Sequence, residues 1–249
     1  MDIFPAYSTA HWMLLAIAGF CIGMSKAGLK GADMLNITIM AIVLGSKSST
    51  GVVLPLLCIA DIFAVIYYHR HANWQHFWKL APWIAAGVIV GVLIGKNMDE
   101  YYFKKMMAVI IVLAVFIMIF LEVRKSFVLP SNKLFGSSLG LITGITTMLG
   151  NLGGSFANIY FLAMRFPKKD FIGTAAWLFL CINLFKLPFQ FFIWQNINAS
   201  TLSTDLVLIP ALGLGFWTGI KIVSLIRENS YRKFVIAMTL IGAIFIFLR

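Results

Sequence analysis

Ser25-Lys26-Ala27-Gly28-Leu29-Lys30-Gly31-Ala32-Asp33, preceded by Gly19-x3-Gly23, returns about 122 residues later as Thr146-Thr147-Met148-Leu149-Gly150-Asn151-Leu152-Gly153-Gly154-Ser155, preceded by Gly140-x3-Gly144. Each copy interrupts an otherwise apolar segment with glycines. Paired interruptions of this kind point to the binding site of a transporter built from repeats. The same register matches Asn36-Ile37 with Asn158-Ile159, Gly51 with Gly173 and Asp61 with Asn183. After a longer loop in the second half the offset becomes 128, matching Pro82 with Pro210, Gly87 with Gly215, Gly91 with Gly219 and Phe103-Lys104-Lys105 with Tyr231-Arg232-Lys233. A register held across a whole half reads as a duplicated chain.

The surrounding composition is that of a membrane protein. Hydrophobic residues make up 61% of the chain and charged residues 12%, against roughly 25% charged in soluble domains. Mean hydropathy is +0.92. Apolar runs at Leu80–Gly95, Met106–Leu121, Phe171–Phe185, Leu206–Ile220 and Phe234–Leu248 approach the roughly 17–25 residues of a membrane span. The N-terminus shows neither a basic n-region nor an A-x-A site, so no cleaved leader is expected. The net charge of +11 is read as loop lysines and arginines that set orientation, not as a nucleic-acid surface. Cys21, Cys58 and Cys181 lie in apolar runs with no disulfide spacing.

Each half divides into about five helical pieces: Ala10–Met24, Asp33–Leu44, Thr50–Tyr68, Leu80–Gly95 and Phe103–Val123, then Lys133–Ile145, Ser155–Arg165, Phe171–Trp194, Thr204–Lys221 and Tyr231–Leu248. The expected domains are a first transmembrane repeat (1–123), a connector broken by Pro130 (124–132) and a second repeat (133–249). The first two pieces of each half are short for full spans. They form either a hairpin meeting near mid-membrane, which inverts the halves, or one broken crossing, which leaves them parallel. The segment Gln195–Thr204 carries no lysine or arginine and is placed outside. The hairpin then puts Arg70, Lys79, Arg165, Lys168, Lys169, Lys221 and Arg227 inside and leaves Lys47, Lys96, Lys104 and Lys105 outside. The fold expected is therefore all-α and polytopic: two homologous halves, inverted, with re-entrant or broken helices meeting at mid-membrane.

Backbone leaves its helix inside a bilayer only where protein or a water-filled cavity satisfies it. Two equivalent breaks should therefore meet at one cavity. Gly28, Gly31, Gly150, Gly153 and Gly154 permit positive φ and close packing. The helix N-termini near Asp33 and Ser155 carry partial positive charge suited to an anion, and both residues are expected as N-caps. Lys26, Lys30 and Lys186 are intramembrane cations without counterparts in the other half. Each is a functional candidate, with snorkelling as the structural reading for the first two and a pair with Asp61 for the third. Asn151 and Asn183 complete the expected substrate-binding set, and Asp61 is the candidate coupling residue. Gly87-x3-Gly91-x3-Gly95, Gly136-x3-Gly140-x3-Gly144 and Gly215-x3-Gly219 read as packing faces. His69, His71 and His76 beside Trp74 and Trp78 read as an interfacial belt rather than a metal site.

With these motifs in place, the chain resembles the sulfite exporter TauE/SafE family. The resemblance rests on Gly23-x4-Gly28-x2-Gly31, on Gly140-Leu141-Ile142-Thr143-Gly144 followed by Gly150-x2-Gly153-Gly154, and on Phe171-Ile172-Gly173-Thr174 leading to Asn183-x2-Lys186. Two departures fall at the expected site: Ser155 stands where the family commonly has proline, and the Lys26/Lys30 pair enters a more purely glycine-rich motif. The resemblance implies export of a small sulfur oxyanion, sulfonate or related organic acid across a bacterial inner membrane, without ATP. The mechanism expected is alternating access, with proton coupling as an added option. The rivals are a passive anion channel and a cysteine-assisted importer of thiosulfate-like compounds. No enzyme motif is present, and no cofactor or metal is expected. The partners are the anion and the bilayer, not nucleic acid, with homo-oligomerisation left open.

Overall fold

The computed structural model describes residues 7–123, 133–228, 230, 231, 233–235 and 237. The connector at 124–132 and most of the tenth expected piece lie outside the described residues. Among those described, the chain is helical from α1 to α9: α1 (Thr9–Lys26), α2 (Ala32–Leu44), α3 (Ser49–Tyr68), α4 (Trp74–Lys96), α5 (Glu100–Val123), α6 (Lys133–Gly150), α7 (Gly153–Ala163), α8 (Lys168–Pro188) and α9 (Ala199–Leu225). Four segments, Ser49–His71, Trp74–Lys96, Lys168–Ile193 and Ala199–Leu225, are long and apolar enough to cross a membrane. The chain is a multi-pass membrane protein.

The breaks fall where the glycines place them. α1 stops at Ala27, and the chain turns through Gly28 (φ 115°) and Gly31 (φ 103°), the left-handed region that glycine enters without a Cβ clash. The second break differs from the expectation. Its left-handed residue is Asn151 (φ 57°), while Gly150 ends α6 and Gly153 and Gly154 open α7. Asparagine tolerates this region because its short side chain bonds locally. Asp33 and Ser155 are not N-caps either. Gly31 and Leu152 hold those positions, Asp33 folds back to accept the Gly31 N–H at 2.8 Å, and Ser155 lies inside the first turn of α7.

α2 folds back along α1: Met40, near the end of α2, shares an apolar cluster with Leu15 and Ala18 from the early turns of α1. In the second half, Gly136 near the start of α6 packs against the Tyr160 ring near the end of α7. Both pairs are thus hairpins.

Contacts between the halves repeat the internal symmetry. α1 packs on α9 and α4 packs on α6, so each half's first helix lies against the other half's fourth. A Cβ on Gly23 would stand 2.1 Å from the Leu212 carbonyl oxygen, and one on Gly144 would stand 2.1 Å from that of Ile84. Only a bare backbone permits such an approach, which is the packing role expected of the glycine stripes.

α3 and α8, the matching third helices, lie antiparallel at the centre. Gln190 beyond the end of α8 donates to Thr50 at the start of α3 (3.2 Å), Asn183 meets Asp61 midway, and the Asn73 N–H beyond α3 donates to Thr174 near the start of α8 (2.8 Å). Pro188 precedes a widened turn at Phe189–Ile193 that carries Gln190 inward.

A matched pair of clamps closes the two halves. The Lys47 ammonium donates to the Met98 and Lys96 carbonyls at the end of α4, while Glu100 accepts the Ser46 and Lys47 N–H groups. Equivalently, the Lys168 ammonium donates to the Ile226 and Val223 carbonyls at the end of α9, and Glu228 accepts the Lys168 N–H. A cation satisfying the last carbonyls of a helix is favourable for both hydrogen bonding and dipole. Lys47 therefore has a structural reason to sit on the face that charge counting leaves poor in cations.

Candidate functional site

The two breaks meet. The ideal Cβ position on Gly154, at the start of α7, lies 2.8 Å from Asp33 Oδ2 at the start of α2. Around this junction is a central cavity of about 30 Å³, room for one or two waters. From the first half Ser25, Lys26, Lys30, Asp33 and Asn36 contribute polar lining; from the second come Thr147, Asn151 and Asn183.

The break backbone is satisfied by protein, as an apolar surround demands. The Tyr68 hydroxyl donates to the Ala27 carbonyl at 3.0 Å and the Tyr231 hydroxyl to the Gly28 carbonyl at 2.8 Å. Asp33 takes the Gly31 N–H, so the start of α2 is partly capped from within its own turn.

Beneath the cavity lies a charge network that links both halves. The Lys26 ammonium pairs with Asp61 Oδ1 at 2.6 Å, and the Asn183 Nδ2 donates to Asp61 Oδ2 at 2.7 Å. Lys186 therefore does not form the pair with Asp61 that the sequence allowed. Its ammonium instead donates to Asn151 Oδ1 (2.7 Å), Thr147 Oγ1 (3.2 Å) and Asn183 Oδ1 (3.3 Å), which uses its three N–H donors. The three Lys186 donors are all taken by these oxygens, and Lys26 on α1, which also lies over the Phe179 ring, neutralises the carboxylate instead.

Of the residues expected at the site, Lys26, Lys30, Asn151, Gly154 and Asn183 line the cavity. Gly28, Gly31, Gly150, Gly153 and Ser155 are buried in the breaks but are not among the lining residues. Lys186 and Asp61 are fully buried behind it. Lys30 has neither an ion-pair nor a hydrogen-bond partner for its ammonium among the described residues, whereas Lys26 and Lys186 are engaged. Asn151 and Asn183 both give their oxygens to Lys186, which leaves the amide N–H₂ of Asn151, a cavity-lining residue, without a partner among the described residues. The arrangement can thus offer an anion one unengaged ammonium and neutral N–H donors.

Ser25, Asn36, Thr147 and Phe179 line the cavity without having been singled out for it. The recurrence of Asn36 as Asn158 was the available signal for one of them. Asp205 is a further buried carboxyl, on α9, with both oxygens unpartnered; nothing in its local sequence marks it. None of Cys21, Cys58 and Cys181 is among the lining residues, and Cys181 is exposed on α8. His76 bonds Tyr160 at 2.7 Å, and no cluster of three or more metal-ligating side chains occurs among the described residues.

A family model described as sulfite exporter TauE/SafE matches residues 15–246. No curated protein and no solved structure matches the chain.

Proposed function

The chain belongs to the sulfite exporter TauE/SafE family of membrane transporters, and from that premise we propose that it is a secondary carrier exporting a small sulfur oxyanion or sulfonate by alternating access. The observation that carries this reading is the convergence of both breaks on one cavity lined by Lys26, Lys30, Asn151 and Asn183. Lys30 attracts the anion, the Asn151 amide donates to it, and the two halves rock about α3 and α8. The antiparallel crossing of these equivalent helices supports halves inverted in the bilayer, with boundaries at 1–123 and 133–249.

Coupling enters through Asp61. It is faced by Lys26 on α1 and Asn183 on α8, with Lys30 and Lys186 within electrostatic range. A proton on Asp61 would release Lys26 from its pair and add a second cation to the site; deprotonation would withdraw it and favour anion release. The small volume of the cavity favours a carrier that widens and closes in each cycle over a standing pore.

The test is sulfite flux in proteoliposomes with and without a pH gradient, with sulfonates and carboxylates as competitors. Saturable, gradient-sensitive flux with counterflow is the expected result. Linear flux without counterflow would replace the carrier with a channel, and exchange of a carboxylate without any sulfite flux would overturn the substrate.

A further inference from the structure

Asn36 on α2 and Asn158 on α7 occupy the same place in the two halves, and each is 1% exposed with its side-chain oxygen unpartnered. Buried polar groups are almost always satisfied, so two orphaned amides at one repeat-equivalent position require a cause. For Asn36 the cause is visible: it lines the central cavity. Asn158 does not.

The same asymmetry extends to its neighbours. Ile37 and Val53 line the cavity beside Asn36, whereas their counterparts Ile159 and Ala175 are buried and do not line it. At two other positions both halves contribute. Ser25 and its counterpart Thr147 both line the cavity, as do Leu57 and its counterpart Phe179. The cavity is therefore shared between the halves at its centre, but along α2 and α7 it follows the first half alone, on the side where α2 runs out to the Lys47 loop.

We propose that Asn158 is a second substrate-contacting amide, used in the opposite access state. In that state Asn158, Ile159 and Ala175 line a cavity reaching toward the Arg165–Lys168 loop, while Asn36, Ile37 and Val53 close into the core. Two equivalent halves in an asymmetric arrangement have a partner arrangement in which their environments exchange. The anion is handed from one asparagine to the other across the Lys30 centre. The orphaned Asn158 oxygen is the cost of keeping a cavity-lining amide inside the closed half. This inference rests on the alternating-access reading and names a residue that reading alone does not.

The experiment uses the full chain with Cys21, Cys58 and Cys181 replaced by alanine, after sulfite flux of that parent has been measured. Asn36→Cys and Asn158→Cys are each introduced singly, with Ala175→Cys as a smaller change on the same proposed wall. A membrane-impermeant thiol reagent is applied from either face of oriented proteoliposomes, with and without sulfite. Asn36→Cys should react from the face bearing Lys47, and Asn158→Cys and Ala175→Cys from the face bearing Lys168, with any condition that raises one lowering the other. Asn158→Cys and Ala175→Cys inert from both faces, while Asn36→Cys reacts and the cysteine-free parent carries sulfite, would overturn the inference and leave the carrier reading standing. Reciprocal labelling in a parent that moves a sulfonate but no sulfite would uphold the inference and overturn only the substrate.

Discussion

Asp61 and Asn183, which occupy the same position in the two halves, are hydrogen-bonded to each other, Asn183 Nδ2 donating to Asp61 Oδ2 at 2.7 Å. A residue that touches its own repeat counterpart lies on the pseudo-symmetry axis. Two identical aspartates there would place like charges in contact in an apolar interior. An asparagine opposite the aspartate makes a hydrogen bond instead, and Lys26 neutralises the one carboxylate.

The Lys26–Asp61 pair should therefore behave as a unit in mutagenesis. Lys26→Met leaves a fully buried carboxylate unpaired and should cost about 3–5 kcal/mol. Asp61→Asn should cost less, because Lys26 retains a small exposure (11%) toward the cavity. The double variant removes both charges and should recover most of the loss. Thermal unfolding in detergent decides it; a double variant no more stable than Lys26→Met would mean the pair is not coupled.

Lys186 should act through Asn151. Lys186→Met leaves three side-chain oxygens without their donor, at about 1–3 kcal/mol for each that finds no replacement. Burying methionine is easier than burying an ammonium, so the protein should still insert. Transport should be lost because Asn151 and Asn183 no longer hold one orientation. Asn151→Ala should impair transport on its own and add little to Lys186→Met. Additive defects in initial rates would place the two residues in separate roles.

The duplication and both breaks were legible in the sequence because glycine spacing survives as a local pattern. The lysines at the cavity were legible because charge is rare in apolar runs. What sequence did not reveal depends on distant contacts. Tyr68 and Tyr231 satisfy the first break from 41 and 203 residues away, and no local signal connects them to it. The pairing of Asp61 with Lys26 rather than Lys186 follows from the oxygens of Asn151, Thr147 and Asn183 that occupy Lys186, two of them from outside its own helix. Asn151 in the left-handed region was hidden by three flanking glycines, Gly150, Gly153 and Gly154, that looked better suited to the turn.

The interhelical glycines should split sharply from a lipid-facing one. Gly144→Ala puts a methyl 2.1 Å from the Ile84 carbonyl oxygen, and Gly215→Ala puts one 2.0 Å from that of Phe20. Neither backbone can yield without separating α4 from α6 or α9 from α1, so each should cost 1–3 kcal/mol or more, as overpacking typically does. Gly213 lies on α9 with nothing within 4 Å of its ideal Cβ. Gly213→Ala should be neutral or stabilising by up to about 1 kcal/mol through helix propensity. Detergent melting curves of the three variants compare the two cases directly, and equal effects at Gly144 and Gly213 would refute the close-packing account.

Lys30 should separate binding from stability. Its ammonium lines the cavity with no bond to lose among the described residues, so Lys30→Gln removes a charge the fold does not depend on and relieves a desolvation cost. Melting should stay level or rise. A charge-assisted hydrogen bond to an anion contributes about 1.5–3 kcal/mol, so KM for sulfite should rise about tenfold or more. Maximal flux should change less, because the moving parts are untouched. Lys30→Arg keeps the charge and should restore part of the affinity if its bulkier head is admitted when the cavity widens. An unchanged KM in Lys30→Gln would remove Lys30 from the anion's path and shift the attraction to Lys26, the other lysine at the cavity wall.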